Sequence, residues 1–119
     1  MSTGRPIVVV DDSLTMRRLL ELILTRSGRT VRCFETATDA LAHVPALRPS
    51  LLLIDAMLPD MDGAALRAAL AERLGDALPP VIFVSGLDRD ELPAADGYVR
   101  KPFTPDQVLA TIADVESAR

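Results

Sequence analysis

Three carboxylates stand where two apolar runs end. Asp11 and Asp12 directly follow Ile7-Val8-Val9-Val10, and Asp55 directly follows Leu51-Leu52-Leu53-Ile54. Each run reads as a buried strand, and open α/β sheets place ligands at the carboxyl ends of their strands. If the two strands are neighbours, the three acids converge on one small volume. Such a cluster repels itself unless a cation sits in it. An all-oxygen donor set suits Mg²⁺, with Mn²⁺ as the alternative. Two further polar groups stand at later strand ends: Ser85 after Val81-Ile82-Phe83-Val84, and Lys101 shortly after Tyr98-Val99. Taken singly, an Asp after a strand is more often a helix N-cap, and Asp12 or Ser13 can serve the first helix that way. Acids, a hydroxyl and an amine at successive strand ends form a set that packing alone does not explain.

The elements that must position this set alternate along the chain. Strands are expected at Ile7–Val10, Val31–Phe34, Leu51–Ile54, Val81–Val84 and Tyr98–Val99. Between them, helices are expected from Leu14 to Ser27, from Thr36 to Val44 and from Ala64 to Leu74. Met16, Leu19, Leu20 and Ile23 form the apolar face of the first helix. Gly28 sits where a helix C-cap would. Pro45 and Pro49 bracket the loop after the second helix, and Pro59 through Gly63 forms a turn. A last helix begins at Thr104-Pro105-Asp106-Gln107, with Thr as N-cap, Pro in the first turn and Gln placed for a capping box. Val108, Leu109, Ile112 and Val115 give it a core face. Val31–Phe34 alternates apolar and polar, as an edge strand does, whereas Leu51–Ile54 is unbroken and therefore central. Five repeated βα units imply an α/β fold of three layers: a doubly wound, parallel five-stranded sheet with helices on both faces.

Size and composition agree with one domain over residues 1–119. A net charge of −4 and a pI near 4.9, with 13 scattered Lys and Arg, leave no basic footprint for nucleic acid. No apolar stretch approaches the ~20 residues that span a membrane. Met1 to Pro6 has no leader pattern, so the cytoplasm is the expected compartment. The single cysteine, Cys33, allows no internal disulfide and reads as a buried structural thiol. His43 has no second ligand nearby in sequence and is expected on a solvated helix face, as are Arg17, Arg18, Arg67 and Arg73.

Four stretches carry a family resemblance: Val10-Asp11-Asp12-Ser13, Ile54-Asp55-Ala56-Met57-Leu58-Pro59-Asp60-Met61-Asp62-Gly63, Val84-Ser85-Gly86 and Gly97-Tyr98-Val99-Arg100-Lys101-Pro102-Phe103. On these, and over essentially its whole length, the chain resembles a response-regulator receiver domain of two-component signalling, the CheY-like family. The resemblance implies a flavodoxin-like sheet of strand order 2-1-3-4-5. It implies that Asp55 accepts a phosphoryl group from a phosphohistidine on a histidine kinase or phosphotransfer protein. It implies Mg²⁺ held by Asp11, Asp12, Asp55 and the backbone carbonyl of Met57. Lys101 and Ser85 would contact phosphoryl oxygens. Ser85 and Tyr98 would form a switch toward a downstream effector. A cis Lys101–Pro102 bond is also expected. Met57 and Leu87 stand where the family tunes the lifetime of the phosphoryl group, and two apolar residues there are expected to limit the access of water. The module is expected to assist its own phosphorylation and dephosphorylation without turning over a separate substrate.

The chain departs from the family pattern between strands four and five. Only 15 residues separate Ser85 from Lys101. Leu87 to Leu92 gives little more than one helical turn at about 1.5 Å per residue, and Gly86 and Pro93 both disfavour helix. The fourth helix is therefore expected to be short or absent, which puts the usual output and dimerisation face in doubt. Three other functions compete with this one. A pseudo-receiver that docks partners without phosphorylation would not need the intact polar set. A phosphohydrolase with an Asp nucleophile typically carries two acids spaced by one residue on a single strand end. Flavin binding needs a phosphate-cradling loop after strand one, where Asp11 and Asp12 would instead repel phosphate.

Overall fold

The computed structural model describes residues 4–118; Met1–Thr3 of the segment read for a leader, and Arg119, lie outside them. Five strands, β1 (Ile7–Val10), β2 (Val31–Phe34), β3 (Leu51–Asp55), β4 (Val81–Ser85) and β5 (Gly97–Arg100), form one sheet in the order β2-β1-β3-β4-β5. All four strand pairs are parallel, with Val10 beside Ile54, Asp55 beside Val84 and Ser85 beside Arg100. That register brings the ends of β1 and β3 level. The expected α/β layering and strand order are both present.

Period-two alternation divides the core between the two faces. Ile7, Val9, Leu51, Leu53, Ile82, Val84 and Val99 pack under α1 (Leu14–Arg26) and α4 (Pro105–Ser117). Val8, Val10, Leu52, Ile54, Val81 and Phe83 pack under α2 (Ala37–Leu47) and α3 (Gly63–Leu74). The central strands are buried on both faces, which is why their sequences read as unbroken apolar runs.

The caps follow local chemistry. Ser13 caps α1 and Thr104 caps α4 in a capping box with Gln107. Gly28, just beyond α1, has φ of +89°, a conformation glycine adopts without steric cost. Three expectations need correction. On α1 the buried set is Leu20, Ile23 and Leu24, while Leu19 is 38% exposed. An i, i+3, i+4 stripe through Leu20 also takes in Leu24, and it points Leu19 outward. Second, α2 does not stop before Pro45 but runs to Leu47. Proline cannot donate to the carbonyl four residues back. That orphan, the oxygen of Leu41, instead accepts a hydrogen bond from Arg73 Nη1 on α3 at 3.0 Å. Third, Arg67 and Arg17 are half-buried and bonded to backbone carbonyls, those of Ala94 and Asp11, so with Arg73 they are more than solvated faces.

Between β4 and β5 the chain makes only a 3₁₀ turn, Arg89–Glu91, so the expected loss of a helix there is realised. Cys33 is half-buried, its thiol pushed up to about 11, first by burial and then by the charge of Glu21. His43 is exposed, as expected, and its ring stacks on Phe34 with centroids 5.7 Å apart.

Candidate functional site

The ends of β1, β3, β4 and β5 bring Asp11, Asp55, Ser85 and Lys101 to one edge of the sheet. Asp11 is 1% exposed, Asp55 8% and Ser85 4%, whereas Asp12 stands in solvent. One carboxylate oxygen from each of Asp11, Asp12 and Asp55 lies within 4.8 Å of the others. Lys101 Nζ reaches into the same cluster, 3.1 Å from Asp11 Oδ2 and 3.5 Å from Asp55 Oδ2. The Lys101–Pro102 bond is cis, as expected.

The two buried acids are oriented by backbone. Asp11 Oδ1 accepts from the N–H of Ser13 at 2.9 Å, and Asp55 Oδ1 accepts from the N–H of Met57 at 3.0 Å. These bonds leave the Oδ2 atoms of Asp11 and Asp55 facing the ammonium. Burial raises the Asp55 carboxyl above the usual carboxylate range. The Met57 N–H and the Lys101 charge oppose that rise, while the neighbouring Asp11 charge adds to it. Three acids against one ammonium leave a local excess of negative charge. The donors are all oxygen, and Met57, 67% exposed, lies beside them in the loop after β3. This is the donor chemistry of a hard divalent cation, so the residues fit the expected metal.

The loop carrying Met57 is tied down by contacts not anticipated from the sequence. Asp60 accepts from the N–H groups of Ala37 and Thr38 at 3.1 and 3.0 Å and from Thr38 Oγ1 at 2.8 Å, so it caps α2 from across the fold. Those bonds hold its carboxyl below the usual range, the Thr38 hydroxyl first. Asp62 caps α3 through the N–H of Ala65, and Met57 pairs with Asp62 as an antiparallel bridge. Gly63 is required where it stands: a Cβ there would meet Ala56 Cα and the Asp55 carbonyl oxygen, both at 2.9 Å. Arg17 was the other residue missed; its Nη1 donates to the Asp11 carbonyl at 2.8 Å and braces the turn after β1. The arginine's i, i+6 separation from Asp11 was a usable signal. The partners of Asp60 lie 22 and 23 residues away and gave none.

Ser85 and Tyr98 both face the β4–β5 connection. Ser85 Oγ accepts from the N–H of Leu87 at 3.1 Å. The Tyr98 hydroxyl donates to the Pro93 carbonyl at 2.8 Å and accepts from the N–H of Ala95 at 2.9 Å. Arg89 lies over the Tyr98 ring, 5.0 Å from its centroid.

Known proteins resemble this chain in sequence and fold. Residues 7–113 match the family described as the response regulator receiver domain. The chain is 31% identical over 117 residues to Protein PilG of Pseudomonas aeruginosa, which aligns over 93% of this chain and 87% of that protein. It is 38% identical over 109 residues to the DNA-binding transcriptional regulator NtrC of Proteus hauseri, but spans only 23% of that longer protein. The response regulator TrrA of Thermotoga maritima, solved in complex with Mg²⁺ and beryllium fluoride, superposes with a TM-score of 0.83 at 25% identity, over 94% of this chain and 99% of TrrA.

Proposed function

The chain belongs to the response regulator receiver family of two-component systems, and from that premise and the pocket we propose that it is a phosphorylation switch with Asp55 as acceptor. The observation that carries this reading is the approach of Lys101 Nζ to Asp55 Oδ2, 3.5 Å away, where carboxylate oxygens of Asp11, Asp12 and Asp55 lie within 4.8 Å of one another. Receiver domains are signalling modules, and no helix among the described residues is long and apolar enough to cross a membrane. Residues 1–119 would act as one receiver unit in the cytoplasm.

An Asp55 oxygen attacks phosphorus in line, the bond from phosphorus to the donor's imidazole nitrogen breaks, and the electron pair stays on that nitrogen. The donor is a phosphohistidine on a histidine kinase or phosphotransfer protein. Met57 N–H fixes the rotation of the Asp55 carboxylate, so that its other oxygen faces the incoming group. Lys101, a compact cation, pairs with a phosphoryl oxygen as charge builds there. Ser85 donates its hydroxyl to another. Asp11, Asp12, Asp55 and the Met57 carbonyl would hold Mg²⁺, which when bound offsets phosphoryl charge and orients the group. The product, an acyl phosphate beside Ser85, biases Ser85 and Tyr98 toward a second arrangement that a downstream effector reads.

Incubation with Mg²⁺ and a small phosphodonor such as acetyl phosphate should add the mass of one phosphoryl group. Asp55→Asn should abolish the gain, and a labelled Asp55→Asn protein would refute the assignment.

A further inference from the structure

Two side chains share the start of α2. Its first turn offers three N–H groups that no helical carbonyl can reach, those of Ala37, Thr38 and Asp39. Thr36 Oγ1, the local cap, takes only the Asp39 N–H, at 3.1 Å. Asp60 takes the other two from the loop after β3, one with each carboxylate oxygen, and its Oδ2 also accepts from the Thr38 hydroxyl. Ala37 is fully buried, so bulk water cannot replace Asp60 at its N–H, and a buried donor left unpaired is costly. A carboxylate at a helix start also meets the positive end of the helix dipole. Asp60 is thus a two-point clamp between a loop and a helix that are distant in sequence.

The clamped loop is the one that carries Met57. Its ends close on themselves: Met57 bridges to Asp62, and the Gly63 N–H donates to the Ala56 carbonyl at 2.8 Å. Leu58 is buried in the core, and Met61 packs against it. Apolar packing fixes how deep the loop sits, but it has no direction. Among the described residues, Asp60 alone ties the tip of this loop to another element by hydrogen bonds. We propose that Asp60 is a positioning residue for the metal and for the acceptor: by clamping the loop to the first turn of α2, it fixes the Met57 peptide, whose N–H orients Asp55 and whose carbonyl would hold the cation. This rests on the reading that Mg²⁺ binds the Met57 carbonyl beside Asp55. Coupling of this kind is reciprocal. A cation that steadies the Met57 peptide must also steady the Asp60 bonds, so the start of α2 senses whether the pocket is occupied.

Titration of Mg²⁺ into the full chain, read by amide chemical shifts, tests the clamp. Asp60→Asn and Asp60→Ala lose the same charge, but only Asn keeps an acceptor oxygen. Asp60→Ala should bind Mg²⁺ about three- to tenfold more weakly than Asp60→Asn, the worth of one modest hydrogen bond. Equal affinities in the two folded variants would reduce Asp60 to a remote charge or a plain helix cap, and would overturn the clamp. In the parent, Mg²⁺ should slow amide exchange at Ala37 and Thr38 about threefold more than at Arg48, whose N–H bonds the Val44 carbonyl at the other end of α2. Equal slowing at both ends is global stabilisation and overturns the clamp, as does no slowing at Ala37 and Thr38. This measurement needs no variant, so it decides the matter if Asp60→Ala does not fold. Mg²⁺ binding that Asp55→Asn weakens, with no difference between the Asp60 variants, sinks the clamp alone. A parent that binds no Mg²⁺ removes the metal reading and the clamp with it.

Discussion

Asp12→Asn separates the self-repulsion of the acidic pocket from its capacity for metal. Asp12 is exposed and, among the described residues, its carboxylate pairs with no cation, so it adds charge to the cluster without relief. The helix cap is Ser13, so the substitution leaves α1 capped. With an oxygen within 4.8 Å of one on each of Asp11 and Asp55, a pair of unit charges costs ~3.5 kcal/mol at an effective dielectric of ~20 and ~0.9 kcal/mol in water. Exposure places Asp12 near the second value. Two such pairs, screened at physiological salt, then amount to ~1 kcal/mol. In excess chelator, Asp12→Asn should therefore raise stability by ~1 kcal/mol, or ~4 °C in melting temperature for a chain of this size. Saturating Mg²⁺ should reverse the order. The parent gains ~2.7 kcal/mol at a hundred times its dissociation constant, while the variant lacks one donor and gains less. Urea denaturation with chelator and with Mg²⁺ reads both arms. Equal stability in chelator, or equal Mg²⁺ shifts in the two proteins, would refute the electrostatic account of the pocket.

Three further outcomes follow from the packing. Leu24→Ala should cost ~2–5 kcal/mol in urea denaturation, while Leu19→Ala should change stability by less than ~1 kcal/mol; the reverse order would put the wrong face of α1 in the core. Gly63→Ala should cost ~1–3 kcal/mol through overpacking against the Asp55 and Ala56 backbone and should weaken Mg²⁺ binding in calorimetry, and a variant as stable as the parent would contradict the close approach. Cys33, raised to about 11 from 9.0, should react with iodoacetamide at pH 8 about a hundredfold more slowly than in the urea-unfolded chain. Because the unfolded thiol ionises first, stability should be unaffected by this group below pH 9 and fall as pH rises from 9 toward 11; native and unfolded rates within threefold would remove the claim.

The polar set was legible because its members sit next to strong strand signals. Apolar runs as short and unbroken as Ile7–Val10 and Leu51–Ile54 read only as buried strands here. The acids after them therefore had to lie at the sheet's edge, and the later Ser85 and Lys101 followed by the same reasoning. Pro45 misled for a physical reason: its lost hydrogen bond is supplied by Arg73 from another helix, a partner that no local rule can see. Asp60 is similar, since its role depends on α2 lying across the fold from the loop after β3. Leu19 and Leu24 are equally apolar, and only the direction from which the sheet meets α1 decides which is buried.

By itself, then, the sequence determined the strands, their burial, the missing helix and which polar residues stand at the strand ends, because hydrophobic periodicity and breaker residues act over a few positions. Tertiary structure alone decided the distances. Strand order made β1 and β3 neighbours, register set Asp11 level with Asp55, and Lys101 came from a strand two places beyond β3 to face them. It also decided that Ser85 and Tyr98 both hold one exposed connection, since their hydrogen-bond partners are backbone groups whose positions exist only once the chain has folded.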